Sequence, residues 1–224
     1  FGGESSFGIP IAAGAGDNAG AALGLGSSIG DLVISLGTSG TAFSLSDIPT
    51  HDSTGEVAGF ADATGNFLPL ACTLNAAKIF ATISRTLGIS FEEFSSLALT
   101  AKAGAEGLRV IPHFDGERTP NKPKAQGSFH GVTHSNFTKS NIARAAIEGV
   151  VAGMLYAAEA IGRLGVKYSR VLLIGGAAKN SAVQQIAADL FGYVIHIPPI
   201  GEYVADGAAK QAAWALSGNK ELPK

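Results

Sequence analysis

Apolar positions in this chain follow two different periods, and the exchange between them predicts its elements. Leu32 to Leu36 and Thr41 to Leu45 are short apolar runs bounded by glycine, which predicts two strands joined through Gly37–Gly40 in a hairpin-like arrangement. Val57–Ala63 and Phe67–Thr73, separated by Thr64-Gly65-Asn66, predict a second hairpin, followed by a helix over Asn75–Leu87. Ser90-Phe91-Glu92-Glu93 fits a capping box that opens another helix toward Ala103. Arg109–Phe114 reads as a strand leading into an Asp115–Gln126 loop. From Thr138 to about Leu164, Ile142, Ala145, Ala146, Gly149, Val150, Gly153 and Met154 recur at helical spacing and predict the longest helix. The chain then alternates strand Arg170–Ile174, helix Ser181–Leu190, strand Tyr193–Ile197 and helix Val204–Leu216. That β-α-β-α order implies a sheet with some parallel strands and helices packed on it. Near the start, Ile9–Ala13 reads as a short buried strand and Asn18–Leu25 as a helix of small residues. No tandem repeat or low-complexity linker interrupts the pattern, so the expectation is one α/β domain.

Composition narrows the picture. With 224 residues, 46% of them hydrophobic and 15% charged, the chain can bury a substantial core and is not of the disordered type. A formal net charge of −2 argues against nucleic acid or an anionic membrane surface as the main partner. No uninterrupted apolar run approaches the roughly 18 residues of a membrane span. Cys72, the sole cysteine, has no intrachain partner for a disulfide, which fits a reducing cytosol. The chain begins with Phe1 and a Gly-rich stretch, which reads as an excised domain with a missing partner.

The candidate chemistry lies in a few small segments. In Gly14-Ala15-Gly16-Asp17-Asn18-Ala19-Gly20, one carboxylate stands among glycines and alanines, where a substrate can approach the backbone closely. Asp17 is either a general base, or a carboxylate near a phosphate-bound metal, or the N-cap of the helix that follows. Gly37-Thr38-Ser39-Gly40 offers backbone N–H groups and hydroxyls to phosphate, or is a plain tight turn. In Leu172–Ser181, a strand, the Gly175-Gly176 pair and a helix start could let a flat ligand such as adenine lie against backbone; Ser181 and Gln184 also fit a capping box. This spacing is neither a dinucleotide fingerprint nor a P-loop. Asp115-Gly116-Glu117-Arg118-Thr119-Pro120 reads as a rigid polar loop in which Glu117 and Arg118 can pair. His51, His113, His130, His134 and His196 show no metal-ligand spacing, so no zinc site is expected. No serine lies in a Gly-x-Ser-x-Gly context, and Trp214 and Phe191 read as core residues of helices.

The order of these segments resembles the C-terminal half of the FGGY carbohydrate kinases. The match runs through Gly16-Asp17-Asn18, Ser35-Leu36-Gly37-Thr38-Ser39-Gly40, Asp115–Pro120 and Gly175-Gly176-Ala177-Ala178-Lys179-Asn180. It also includes the family's second signature, from Gly127-Ser128-Phe129-His130-Gly131-Val132 to Asn141–Glu148. Gly-Asp-Asn and Asp-Gly-Glu-Arg-Thr-Pro look most like the members that phosphorylate xylulose; glycerol kinases usually carry Gly-Asp-Gln. The resemblance implies that residues 1–224 form an actin/hexokinase-type ATPase domain with a ribonuclease-H-like fold, a mixed sheet covered by helices. It implies phosphoryl transfer from ATP, with Mg²⁺ on the phosphates, to a ketose, in the cytoplasm. Asp17 is expected as catalytic base, with Asn18 beside it at the sugar. Gly37, Thr38 and Ser39 are expected at the phosphates, and Gly176 and Asn180 at adenine, in a pocket shaped by Gly175 and Ala177. No protein metal ligand is expected except Asp17. A homodimer is expected by analogy alone. The family's first phosphate loop and most of its sugar contacts belong to an N-terminal domain outside this chain, so the fragment is expected to be inactive alone. The alternatives are a sibling kinase acting on ribulose, gluconate or glycerol, and a non-catalytic actin-like nucleotide-binding module.

Overall fold

A mixed six-stranded sheet is the spine of the chain, whose computed structural model describes residues 2–218. Two very short strands, β1 (Gly3–Glu4) and β2 (Pro10–Ile11), precede helix α1 (Asp17–Leu25). Four antiparallel strands follow, β3 (Asp31–Leu36), β4 (Gly40–Ser44), β5 (Val57–Ala61) and β6 (Phe67–Thr73), with β6 lying between β4 and β5. Helices α2 (Ala77–Leu87) and α3 (Phe91–Thr100) lead to a small hairpin of β7 (Arg109–Ile111) and β8 (Ser128–His130). The long helix α4 (Lys139–Arg163) then returns the chain to the sheet through β9 (Arg170–Ile174), α5 (Ser181–Phe191), β10 (Ile195–His196) and α6 (Tyr203–Ser217). Across the sheet the order is β10-β9-β3-β4-β6-β5, with β10, β9 and β3 parallel and the remaining pairs antiparallel. This is the mixed α/β sheet expected from the sequence.

The alternation of side chains along each strand divides the core in two. Leu32, Ile34 and Leu36 join Ala42, Ala71, Val171 and Leu173 on the face covered by α2, α3, α4 and α5. Val33, Phe43, Leu70 and Leu172 point the other way, against Ala19, Ala21 and Ala22 of α1. A one-residue slip in any central strand would exchange these faces, so the pairing Val33↔Phe43 with Ile34↔Ala42 is strongly specified. Thr138 caps α4, its side chain accepting from the Asn141 N–H. By length and hydropathy α4 is long and apolar enough to cross a bilayer, which the absence of an uninterrupted apolar run did not flag. Its many buried positions, from Ile142 to Ile161, make it the central helix of the larger core.

Helices α1 and α6 cover the second face and approach each other through glycine. A Cβ on Gly24 would lie 1.9 Å from the Tyr203 carbonyl oxygen, and one on Gly207 would lie 1.9 Å from that of Gly20. Lys210 of α6 donates to the Leu23 and Gly24 carbonyls at the end of α1. The glycines of α1 are therefore a packing requirement.

Three expectations about local structure need correction. Ile9–Ala13 is not a buried strand: only Pro10–Ile11 is extended, it pairs with Gly3–Glu4, and Ile9 and Ile11 are exposed. Helix α5 is capped by Asn180, whose Oδ1 accepts from the N–H groups of Ala182 and Val183. Ser181 is not the cap, and Gln184 donates to the Ala178 carbonyl. Trp214 is only half-buried, in a surface cavity with Ala12, Ala13 and Gln211, whereas Phe191 is in the core as expected.

Asp31 joins the two parallel central strands at their starts. Arg170, its register partner on β9, donates from Nε and Nη2 to the two carboxylate oxygens, each at 2.6 Å, and the Ser28 N–H adds a third bond at 2.8 Å. Burial pushes the Asp31 carboxyl up, but the Arg170 hydrogen bond, the Ser28 N–H and the Arg170 charge together hold it below the usual carboxylate range. The folded protein thus holds Asp31 ionised more firmly than the unfolded chain does. That contribution to stability is present above the unfolded carboxyl's pKa, about 3.9, and is lost as pH falls through the lower folded value. Asp31→Asn should lower the melting temperature at pH 7, and the gap to the parent should narrow in melts taken below about pH 4. Gly207→Ala should destabilise the fold by about 1–3 kcal/mol in urea melts by forcing α6 away from α1.

Candidate functional site

Because β3 and β9 run parallel, their carboxyl ends lie at the same edge of the sheet, where ligands of open α/β sheets ordinarily bind. Two glycine turns leave the sheet there. After β9, Gly175 adopts φ +92°, a conformation disfavoured for residues with a Cβ, and a Cβ at this position would lie 2.6 Å from the Leu36 carbonyl oxygen. The turn is therefore pressed onto the end of β3. A Cβ on Gly176 meets nothing within 4 Å, so this glycine faces open space. The space is a cleft of about 700 Å³ whose lining includes Asp17, Asn18, Ser35, Gly175 and Gly176.

Asp17 is the first residue of α1, and Gly16 occupies the cap position without a side-chain bond. The aspartate is therefore not the N-cap that the sequence allowed. Its carboxylate stands at the N-terminal end of the helix. Oδ1 accepts from the Asn18 N–H at 2.8 Å and from Asn18 Nδ2 at 3.0 Å. Asn18 Oδ1 in turn accepts from Thr41 Oγ1 at 3.4 Å. The carboxylate is exposed, forms no ion pair among the described residues, and has Oδ2 without a protein partner. An ionised group held by one oxygen and open at the other can accept a proton from a bound hydroxyl.

The turn at Gly37, Thr38 and Ser39 lies on the same rim but does not line that cleft. Gly37 N–H donates to the Ser39 carbonyl, and the Gly37 carbonyl accepts from the N–H of Ala77 at the start of α2. Thr38 and Ser39 are exposed, and neither hydroxyl has a hydrogen-bond partner among the described residues. Gly40 closes the turn where no side chain fits, since a Cβ would lie 2.4 Å from Met154 Sδ.

Two of the expected adenine-side residues are turned inward. Ala177 is buried in the larger core. Asn180 is also buried; its Oδ1 accepts from Ser95 Oγ at 2.8 Å as well as capping α5, and the residue is not part of the cleft lining. The structure brings in residues that the sequence reading passed over. Lys179 and Gln184 line the cleft beside Gly176, and Ile197, Pro198, Ile200, Tyr203 and Val204 form an apolar wall. Ile200 is 77% exposed there, an apolar side chain in a Pro/Gly loop that was the available signal. Glu117 and Arg118 do not pair: the Glu117 carboxylate is buried and accepts from the Leu74 N–H, the Arg118 N–H and Asn75 Nδ2. Cys72 lies in β6 as expected, half-buried.

The chain matches the FGGY family of carbohydrate kinases, C-terminal domain, over residues 32–216. It is 44% identical over 214 residues to a xylulose kinase of Streptomyces coelicolor, covering 95% of this chain and 43% of that protein. Among solved structures, a xylulose kinase from Bifidobacterium adolescentis superposes with a TM-score of 0.88 at 50% identity, over 95% of this chain and 42% of that one. A gluconate kinase from Lactobacillus acidophilus superposes with a TM-score of 0.86 at 27% identity, over 93% and 43%. The chain thus spans less than half the length of these relatives. The family match takes in most of the chain, from β3 through α6, and the chain belongs to the FGGY carbohydrate kinases as their C-terminal domain.

Proposed function

We propose that this chain is the C-terminal half of a two-domain cytoplasmic kinase that transfers the γ-phosphoryl group of ATP to xylulose, giving xylulose 5-phosphate. The observation that carries this reading is Asp17, whose carboxylate is fixed by one oxygen and open at the other in the same cleft as the Gly175-Gly176 turn. In this reading adenine lies against Gly175 and Gly176, between the turn and the apolar Ile197–Val204 wall. Thr38 and Ser39 meet the phosphates on the neighbouring rim. Asn180 and Ala177 serve the pocket by fixing the turn and the start of α5. Asp17 takes the proton from the sugar hydroxyl that attacks phosphorus, with Asn18 holding its carboxylate in place.

ATP supplies Mg²⁺ to such a site on its phosphates, where the ion neutralises developing charge. The described residues contain no group of three His, Cys, Asp or Glu able to hold a metal by themselves. An ion carried by ATP would be held on this domain by Asp17, the carboxylate we assign nearest it, and would supply charge neutralisation there. The sugar-binding half of the proposed enzyme is the partner of this domain, and its closure over the cleft would exclude water from the phosphoryl group.

The likeness to a gluconate kinase keeps a second acceptor class in view, and a substrate panel on the intact enzyme separates it from xylulose. In that enzyme, Asp17→Asn should lower kcat by about 10²–10⁴ while leaving the KM for ATP nearly unchanged, measured by coupled ADP release. Near-parent turnover would remove Asp17 from the role, and ADP release indifferent to sugar would favour a non-catalytic nucleotide module.

A further inference from the structure

The fold fixes the backbone of Arg118 through its neighbour. Glu117 Oε1 accepts from the Leu74 N–H at 2.6 Å and from the Arg118 N–H at 2.9 Å, while Oε2 accepts from Asn75 Nδ2 at 2.9 Å. Asn75 Nδ2 also donates to the Gly116 carbonyl at 2.7 Å. A buried carboxylate thus fastens the Arg118 loop to the segment that leaves β6. The same segment, two residues further on, holds the phosphate turn through the bond from Ala77 N–H to the Gly37 carbonyl. Arg118 and the Gly37–Ser39 turn are therefore hung from one stretch, residues 74–77.

Asp17 reaches the same place from the other side of the sheet edge. Cys72, two residues before Leu74, pairs with Thr41 across β6 and β4, and Thr41 is the residue whose hydroxyl meets Asn18 beside Asp17. Burial pushes the Cys72 thiol up, the Arg118 charge pulls it back, and the Asp17 charge raises it further. Both charges therefore act on one sulfur. Arg118 is exposed, and no carboxylate lies within ion-pair distance of its guanidinium among the described residues. Hydrogen bonds and strand pairing thus hang a cation and an anion from the same end of β6, Arg118 through Glu117 and Leu74 and Asp17 through Asn18, Thr41 and Cys72, with neither in an ion pair among the described residues. A group carrying several negative oxygens suits the cation, and the hydroxyl it meets suits the anion. Guanidinium is suited to that group, since its planar donors match two phosphoryl oxygens at once.

We propose that Arg118 is a catalytic residue, its guanidinium binding the phosphoryl group in transit between nucleotide and sugar. The proposal rests on Asp17 being the proton acceptor. In the step, the bond from phosphorus to the leaving oxygen of ADP breaks and the bond from phosphorus to the sugar oxygen forms. The hydroxyl proton goes to Asp17, and Arg118 stabilises charge on the phosphoryl oxygens without exchanging a proton. Arg118 is exposed and its side chain has no partner among the described residues, so the fold does not depend on it.

The test uses the intact two-domain enzyme. Arg118→Ala should lower kcat by about 10²–10³, the loss typical of one preorganised donor, with KM values changed less than about threefold. The melting temperature should not change. Added guanidinium ion should restore part of the lost turnover in Arg118→Ala and none in Asp17→Asn, and Arg118→Lys should fall between parent and Ala. Turnover in Arg118→Ala within about threefold of the parent would overturn the proposal, as would a loss that neither guanidinium nor Lys relieves. If Asp17→Asn is crippled and Arg118→Ala is not, only this inference fails; if Asp17→Asn is near parent, the reading of Asp17 fails first.

Discussion

Everything at the site depends on how closely the turn after β9 can approach the end of β3. Gly175 lies on the backbone of Leu36, where a Cβ would come within 3 Å of three main-chain atoms. Parallel pairing from Asp31↔Arg170 to Ser35↔Ile174 brings the two strands to the same edge in register, and the absent side chain lets them finish in contact. The Asp31–Arg170 fork fixes that register at the opposite end of the same strands. An ion pair at one end and a glycine contact at the other thus place two backbone turns side by side at one edge of the sheet.

The second constraint concerns the aspartate. Asp17 owes its position to a short helix of nearly featureless residues, held against the sheet by Ala19, Ala21 and Ala22 and against α6 by the Gly20, Gly24 and Gly207 contacts. Small residues lower the helix onto its neighbours, so its first residue can reach the strand ends. The carboxylate is then oriented by the Asn18 amide, itself held by Thr41 of β4. Helix, sheet and side-chain relay each supply one part of this geometry.

The charges are of two kinds. Asp17 and Arg118 are both exposed and without ion pairs among the described residues, whereas Asp31, Glu117 and Arg144 are buried and have polar partners. Leaving an exposed carboxylate and an exposed guanidinium without ion pairs costs little while water covers them. Their mutual region becomes strongly polarising once water is excluded, because electrostatic interaction strengthens as the local dielectric falls. This is the physical reason for assigning the chemistry to an enzyme in which a second domain closes over this one.

Much of the fold was legible in the chain. The hairpins, the long α4 helix with its Thr138 cap, and the final β-α-β-α run follow from periodicity and glycine punctuation, because those signals are local. The motifs at Asp17, Gly37 and Gly175 were legible as segments for the same reason. Other features were decided by contacts between residues far apart in sequence. Asn180 is turned inward by its bonds to Ser95 and the first turn of α5; the Glu117 carboxylate bonds Leu74, Asn75 and the Arg118 N–H, not the Arg118 guanidinium; the Ile197–Val204 wall depends on where the chain leading into α6 lies. Local pattern determined which elements form and which residues carry chemistry. Tertiary structure alone decided which of those residues face one another, because a side chain's partner is set by the packing of the sheet and its two helix layers.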